Sequence, residues 1–271
     1  MKKRSWVKTA TYFGLSLWTV LALFPYYFAL ATSFKTKRDL FEPTRLLFSP
    51  TLDNYNTLFT ASNFLLYMKN SAIVTTGSVV PSIILGIMCA YGLARLKMRK
   101  ERTIAVTILS MRMVPAIAVV IPFFLLGQMA GLIDTPWILI LAYMSMNIPL
   151  AVWLLRGFFR DIPTEIDEAA ALDGASHWRT LWSVIVPMSW SSITTTAVLL
   201  LIQTWNEFVF AQFLTATDSR TVPTSVGLFL SIAGTDFGQM GSAVIVGTAP
   251  VLVFALIARK RLTTGLSYGS L

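Results

Sequence analysis

The sequence predicts an all-α membrane protein, a polytopic bundle of about six membrane-spanning helices. Of its 271 residues, 55% are hydrophobic and only 13% are charged, whereas a soluble domain normally carries about a quarter charged residues. The remaining charges cluster between long uncharged stretches. Water is a poor solvent for such stretches, so a bilayer must surround them. About 20 mostly apolar residues are enough for a helix to cross a bilayer.

Six segments have the length and composition of a span. They are residues 12–31, 71–94, 103–126, 137–158, 190–213 and 241–258, spans one to six. No repeat and no soluble domain interrupts them, so we expect one transmembrane domain over 1–271. Within it, span one covers 12–31, the core bundle covers 71–258, and a loop at 160–187 connects spans four and five.

Lys and Arg residues fall mainly on one side of these spans. The two termini and the loops after spans two and four hold fifteen, and the other side holds six. The positive-inside rule therefore predicts that both termini are cytoplasmic. This bias also accounts for the net charge of +9. We expect a lipid bilayer and no nucleic acid as the partner, since no basic stripe lies on a soluble element.

Span one has some features of a secretory signal, with a basic start and the sequence Ala29-Leu30-Ala31 at its end. Its apolar stretch is longer than a usual signal core and carries Tyr26 and Tyr27. Tyrosines at that place suit the membrane interface. We expect the segment to be retained as a helix.

The loop 160–187 has the pattern of two short helices joined by a glycine. Thr164 and Asp167 resemble a capping box, and acids in the first turn favour a helix start. Gly174 is expected to end this helix in the left-handed conformation, Ser176 to cap a second helix, and Pro187 to end that one. Such order suits docking into a cytoplasmic partner. The alternative, a helix lying flat on an anionic leaflet, fits five acids poorly.

Glu168-Ala169-Ala170, Gly174 and Pro187 have the spacing of the EAA signature, so the chain resembles the binding-protein-dependent ABC importer permeases. The stretches at 158–163, 173–176, 205–208 and 265–269 resemble the six-helix, maltose-type branch for carbohydrate uptake. The resemblance implies a permease of the bacterial cytoplasmic membrane that moves a sugar or related polyol inward.

The resemblance also implies partners. The loop would be a coupling helix seated in an ATPase subunit, present in two copies, while a second homologous permease completes the pore and an extracytoplasmic solute-binding protein delivers the solute. The docking residues would be Glu165, Glu168, Ala169, Ala170, Asp173, Gly174, Ala175 and Pro187.

No cofactor is expected on this chain. It lacks a Gly-x-x-x-x-Gly-Lys-Ser/Thr phosphate loop, so ATP and Mg²⁺ would be used by the ATPase subunit and the chain would not be an enzyme. His177 and Cys89 are the only residues of their types, which argues against a metal site.

Polar residues inside the spans are candidates for a substrate pathway, because they are costly in a bilayer. Asn147, Gln203, Asn206 and Glu207 could bind hydroxyl groups. Alternatively, such groups only join helices to one another, and Glu207 could pair with Arg112 or cap a helix end.

Two rival functions remain open in the sequence. One is an ABC permease for another small solute such as a polyamine, since the coupling signature does not report the cargo. The other is a self-contained secondary carrier, which the lack of an inverted repeat disfavours.

Overall fold

The structure, a computed structural model, describes residues 2–41, 48–96, 98–231 and 234–267. Its helices are α1 (Lys2–Ser33), α2 (Lys37–Leu40), α3 (Asp53–Thr60), α4 (Phe64–Arg95), α5 (Glu101–Ser110), α6 (Ala116–Met129), α7 (Pro136–Arg160), α8 (Glu165–Leu172), α9 (His177–Thr180), α10 (Val186–Met188), α11 (Trp190–Trp205), α12 (Val209–Leu214), α13 (Val222–Ser225) and α14 (Phe237–Ser267). Strands β1 (Leu230–Ser231) and β2 (Gly234–Thr235) form a small antiparallel pair. The all-α membrane architecture predicted from the sequence is confirmed.

Four helical stretches in the described part of the chain are long and apolar enough to cross a membrane. They are Thr11–Ser33, Phe64–Arg95, Pro136–Arg160 and Phe237–Leu256. Two bent helix pairs raise the number to six if each pair counts as one span. The first pair joins Glu101–Met113 to Ala116–Met129 at 84°, and the second joins His177–Met188 to Trp190–Trp205 at 79°.

Spans three and five differ from the continuous helices that the sequence pattern predicts. Span three is broken at Val114, whose backbone is extended (φ −68°, ψ 126°) because the following Pro115 disfavours the helical conformation there. The predicted span five stops at Trp205, and a new helix begins at Val209. Hydropathy averaged over a whole span did not reveal either break, because the long apolar stretches on both sides outweigh Arg112 at the first break and Asn206 and Glu207 at the second.

One compact unit comprises Tyr67–Thr224 and Pro250–Leu271. Its first core cluster includes Leu155 and Phe159 of α7 with Leu200 of α11, and its second includes Leu139 of α7 with Phe210 of α12. α4 and α7 approach closely: a Cβ added to Gly86 would lie 2.6 Å from the Cβ of Ala151. Small residues at such contacts let helices pack by van der Waals attraction in lipid.

The other unit comprises Met1–Leu66 and Ser225–Ala249. Within it, the buried amide of Asn54 donates 2.9 Å hydrogen bonds to the carbonyls of Ser33 and Lys35, which fixes α3 beneath the end of α1. α14 approaches α1 at Gly241, where a Cβ would lie 2.9 Å from the carbonyl oxygen of Ala29. The described side chains of α1 between residues 11 and 28 are exposed within the chain.

Some sequence predictions concern positions outside the described residues. Lys97 and Arg45 of the charge count are among them, and so are positions 268 and 269 of the C-terminal resemblance. The prediction of a single domain over 1–271 stays a prediction.

Candidate functional site

The first helix of the loop 160–187 begins without the predicted capping box. Thr164 precedes α8, but its backbone is helical and its side chain makes no capping hydrogen bond. Asp167, the predicted second member of the box, instead accepts a hydrogen bond from Tyr91 at 2.8 Å. The capping prediction is wrong because a contact 76 residues away in sequence takes the carboxylate.

Gly174 ends α8 in the predicted left-handed conformation, with φ of +80°. Its N–H donates to the carbonyl of Ala171 at 3.0 Å, and the N–H of Ala175 donates to the carbonyl of Ala170 at 2.9 Å. These two bonds form a Schellman motif, which satisfies the free carbonyls at the helix end. No atom lies within 4 Å of a Cβ built on Gly174, so only the backbone demands glycine there.

The second short helix begins as the sequence predicts and ends later than it predicts. The N–H of Arg179 donates to the hydroxyl of Ser176 at 3.4 Å, so Ser176 caps α9. A π-helical turn (Leu181–Ile185) follows and runs directly into α10, which contains Pro187. The chain bends at Ser189, not at Pro187, before α11.

α8 has one face toward the bundle and one toward the surroundings. Ile166 packs on the first core cluster. Glu168 lies on the opposite face, and Glu165, Glu168 and Ala169 are all exposed. Leu172, one turn further along that face, is 90% exposed. The loop therefore presents an acidic helix with an apolar tip. The docking role of the eight residues named for it stays a prediction.

Three of the four candidate pathway residues meet in one cavity. Asn147, Gln203 and Glu207 line a space of about 60 Å³. Arg112, Tyr143, Met146 and Thr204 complete its lining. Arg112 donates a hydrogen bond to the side-chain oxygen of Gln203.

Glu207 caps α12 rather than pairing with Arg112. Its carboxylate accepts hydrogen bonds from the backbone N–H groups of Val209 at 2.9 Å and of Phe210 at 3.1 and 3.2 Å. A carboxylate at a helix N-terminus is favourable because it satisfies free N–H groups. This capping is also the physical reason why a new helix starts after Trp205. Of the two alternatives left open for Glu207, the cap is the one found.

Asn206 does not join the cavity. Its amide donates to the carbonyl of Ile202 in its own helix at 2.7 Å, which ties the side chain to the end of α11. The hydroxyl of Tyr143, in contrast, is buried at the cavity beside Glu207 and makes no well-formed hydrogen bond among the described residues.

Asp134 joins two loops through hydrogen bonds that the sequence analysis did not predict; this contact is called the clamp. Its carboxylate accepts from the N–H groups of Ala216, Thr217, Asp218 and Ser219 at 2.9 to 3.1 Å. Burial opposes ionisation, but these four donors outweigh it and hold the pKa of Asp134 below its ordinary value of 3.8. No local sequence pattern could have predicted hydrogen-bond donors more than 80 residues away.

Residues 82–261 match the family described as "Binding-protein-dependent transport system inner membrane component". The chain belongs to this family. The match confirms that the permease is a transport component of a membrane and not an enzyme. It says nothing of single residues.

Curated relatives resemble the permease along nearly its whole length. The probable ABC transporter permease protein y4oR of Sinorhizobium fredii is 37% identical over 93% of this chain and 92% of its own. The trehalose/maltose transport system permease protein MalG of Thermococcus litoralis is 30% identical, covering 95% and 94%. The trehalose transport system permease protein SugB of Mycobacterium tuberculosis is 32% identical, covering 97% and 98%.

Solved structures share the permease fold. A chain from a bacterial ABC transporter involved in the import of the acidic polysaccharide alginate superposes with a TM-score of 0.80 at 21% identity, covering 96% of this chain and 98% of that one. A chain of the MetNI methionine ABC transporter superposes with a TM-score of 0.56 at 14% identity, covering 74% and 94%.

Proposed function

We propose that this permease forms half of the pore of an ATP-driven importer that moves a sugar or related polyol into the cytoplasm, with both of its own termini on the cytoplasmic side. The printed names support the cargo class, because two of the relatives described above are named for trehalose transport. The excess of Lys and Arg on one side of the spans supports the orientation.

The exposed face of α8 is the observation that supports coupling best. Glu165 and Glu168 lie on the exposed side of α8 that ends in an apolar tip at Leu172, and the Schellman motif at Gly174 fixes the angle to α9. A rigid acidic helix with an apolar tip suits a complementary cleft on a protein. We infer that this cleft belongs to an ATPase subunit in two copies, which uses ATP and Mg²⁺. A second homologous permease and an extracytoplasmic binding protein complete the assembly.

The cavity at Gln203 supports a pathway for uncharged, hydroxyl-rich solutes. Asn147, Gln203 and the Tyr143 hydroxyl supply both donors and acceptors to a small space. Asn206 is bonded to its own helix, so we assign it to the end of α11 and not to the lining.

A polyamine importer is the second candidate. Glu207 could attract a cation, but its carboxylate is engaged by backbone N–H groups, and Arg112 shares the cavity. Both observations favour a neutral solute over a cationic one. A self-contained carrier is disfavoured by membership of the family.

The test is affinity purification of the tagged permease, in mild detergent, from membranes of the cells that naturally produce it. We expect the ATPase subunit to co-elute. Glu168→Lys should weaken the association between permease and ATPase subunit more at low salt than at high salt. Asp161→Lys, which changes an exposed acid outside α8, is the matched control and should co-elute normally. Absence of any ATPase subunit from the wild-type preparation would overturn the coupling.

The cargo is tested separately by calorimetry on the purified binding protein. A panel of mono- and disaccharides, polyols and polyamines is titrated into it. Binding of a sugar or polyol is expected, whereas binding of a polyamine alone would replace the proposed cargo class by the second candidate.

A further inference from the structure

The inner face of α8 is tied to the last turns of α4 by one carboxylate. The Tyr91 hydroxyl donates to Oδ1 of Asp167 at 2.8 Å. Nε of Arg95 lies 2.9 Å from Oδ2, an ion pair by distance whose N–H is not aligned for a hydrogen bond. The side chains of Arg95 and Asp167 are only 8% and 18% exposed. Water screens such a pair less than it screens a surface pair.

This tie is the polar part of the contact between α8 and the end of α4. Ile166, next to Asp167, packs on the first core cluster. A hollow of about 310 Å³ lies beside this contact, bordered by Gly92 and Leu96 at the end of α4 and by Trp178 and Leu181 of the loop. Asp167 therefore supplies the polar part of the contact between α8 and the end of α4, beside the apolar packing of Ile166 on the cluster that includes Ala90 and Tyr91 of α4.

We propose that Asp167 is a positioning residue that makes α8 and the end of α4 move as one body. The proposal rests on the proposed function, in which an ATPase subunit moves the loop. A displacement of α8 would be passed directly to α4, the helix that packs against α7 at Gly86 and Ala151. Asp167 would act through Tyr91 and Arg95 and would touch neither the solute nor the ATPase subunit.

The chain offers a matched control in a second ion pair. Arg156 at the end of α7 pairs with Glu101 at the start of α5, and their side chains are 8% and 21% exposed. This pair has the chemistry and burial of the first one, but neither residue belongs to the loop 160–187. If disrupting an ion pair only destabilised the protein, changing either pair should have the same effect. If Asp167 transmits motion from α8 to α4, only its own substitution should have the effect.

The experiment measures the distance between spin labels on α8 and α4 in the complete complex. Cysteines replace Thr164 and Leu96, which are exposed, in a Cys89→Ala background. The purified complex in lipid nanodiscs is compared without nucleotide and after trapping with ATP and vanadate. We expect one narrow distance peak that is the same in both states.

Asp167→Asn should lose that narrow peak after trapping, while the ATPase subunit still co-elutes and hydrolyses ATP. Tyr91→Phe should show a smaller broadening, since it keeps the ion pair. Glu101→Gln should keep the narrow peak. Exchanging the charges, Asp167→Arg with Arg95→Asp, should restore it.

Two results would overturn the proposal. An unchanged narrow peak in Asp167→Asn would mean that other contacts hold α8 to α4. Loss of ATPase co-elution in Asp167→Asn would place the residue in the docking surface instead. If the wild-type complex itself contains no ATPase subunit, the proposed function fails rather than this inference.

Discussion

Asn147 on α7 donates a 2.9 Å hydrogen bond to the hydroxyl of Thr204 on α11, and both side chains are buried. The bond joins the two helices that border the polar cavity. Hydrogen bonds between membrane helices contribute about 0.6 kcal/mol on average and at most about 1.7 kcal/mol. The pair should therefore matter modestly for stability, whatever it does for transport.

Thr204→Val removes that bond but keeps the shape of the side chain. We expect a loss of about 0.6 kcal/mol in unfolding free energy, measured by denaturant titration in detergent. Asn147→Leu should lower stability by a similar amount and also reduce uptake, because its amide lines the cavity. Uptake by Asn147→Leu equal to that of the wild type, at equal membrane levels, would return Asn147 to a purely structural role.

Gly174 is expected to tolerate residues in the order Asn, Ala, Val. A Cβ at a left-handed position costs of order 1 kcal/mol, and a β-branched residue costs more, whereas Asn adopts this region more readily. Since a Cβ meets no atom there, the penalty falls on the angle between α8 and α9. Uptake and ATPase co-elution should follow the same order at equal membrane levels. Full transport by Gly174→Val would contradict the prediction.

Gln203→Leu should impair uptake more than Asn206→Leu. The first change removes the acceptor of Arg112 and leaves a guanidinium without its partner in the cavity. The second removes only a bond to a carbonyl of the same helix. The difference is measured as uptake of a radiolabelled sugar by whole cells, normalised to the amount of permease in the membrane. Equal defects would mean that the cavity is not the pathway.

Asp134→Asn should destabilise the clamp between the two loops. The amide NH₂ of Asn cannot accept the hydrogen bonds that a carboxylate oxygen accepts from the backbone N–H groups. Hydrogen bonds to charged groups are worth about 1.5–3 kcal/mol. We expect a clear drop in melting temperature in detergent. Asp218→Asn, an exposed acid in the same loop, is the control and should melt like the wild type.

The difference in melting temperature between wild type and Asp134→Asn should become smaller as the pH falls. Because folding lowers the pKa of Asp134 below 3.8, its stabilisation is fully present above pH 3.8. It is lost as the pH falls through the pKa of the folded state. Melting curves should keep a constant difference from neutral pH to about pH 5 and converge under strong acid. A difference that vanishes already near pH 6 would implicate another group.

Sidedness can be tested with single cysteines in a Cys89→Ser background. Glu165→Cys should be shielded from a membrane-impermeant thiol reagent added outside intact cells, whereas Thr217→Cys should react. Both positions are exposed within the chain, so the difference reports the side of the membrane. Labelling of position 165 from outside would reverse the orientation.

Local features of the loop could be predicted from sequence because their causes are local. Gly174 and Ser176 act on neighbours within four residues, and both hold the predicted positions. The break at Pro115 has a local cause too, but the high average hydropathy of span three hid it.

Features that depend on distant partners could not be predicted. Asp167 suggests a capping box in sequence and pairs with Tyr91 and Arg95 in the structure. Asp134 gathers backbone donors from a loop more than 80 residues away. In both cases the pattern identifies a carboxylate that needs partners, and only the fold decides which ones.

The 84° break between Met113 and Ala116 affects how readily deuterium reaches the backbone. Amides inside an unbroken span exchange slowly, because each is bonded within its helix and lipid surrounds it. A helix start leaves N–H groups without carbonyl acceptors. The first turn of α6 should therefore exchange much faster than the middle of α7, as a patch of labile hydrogens flanked by protected ones.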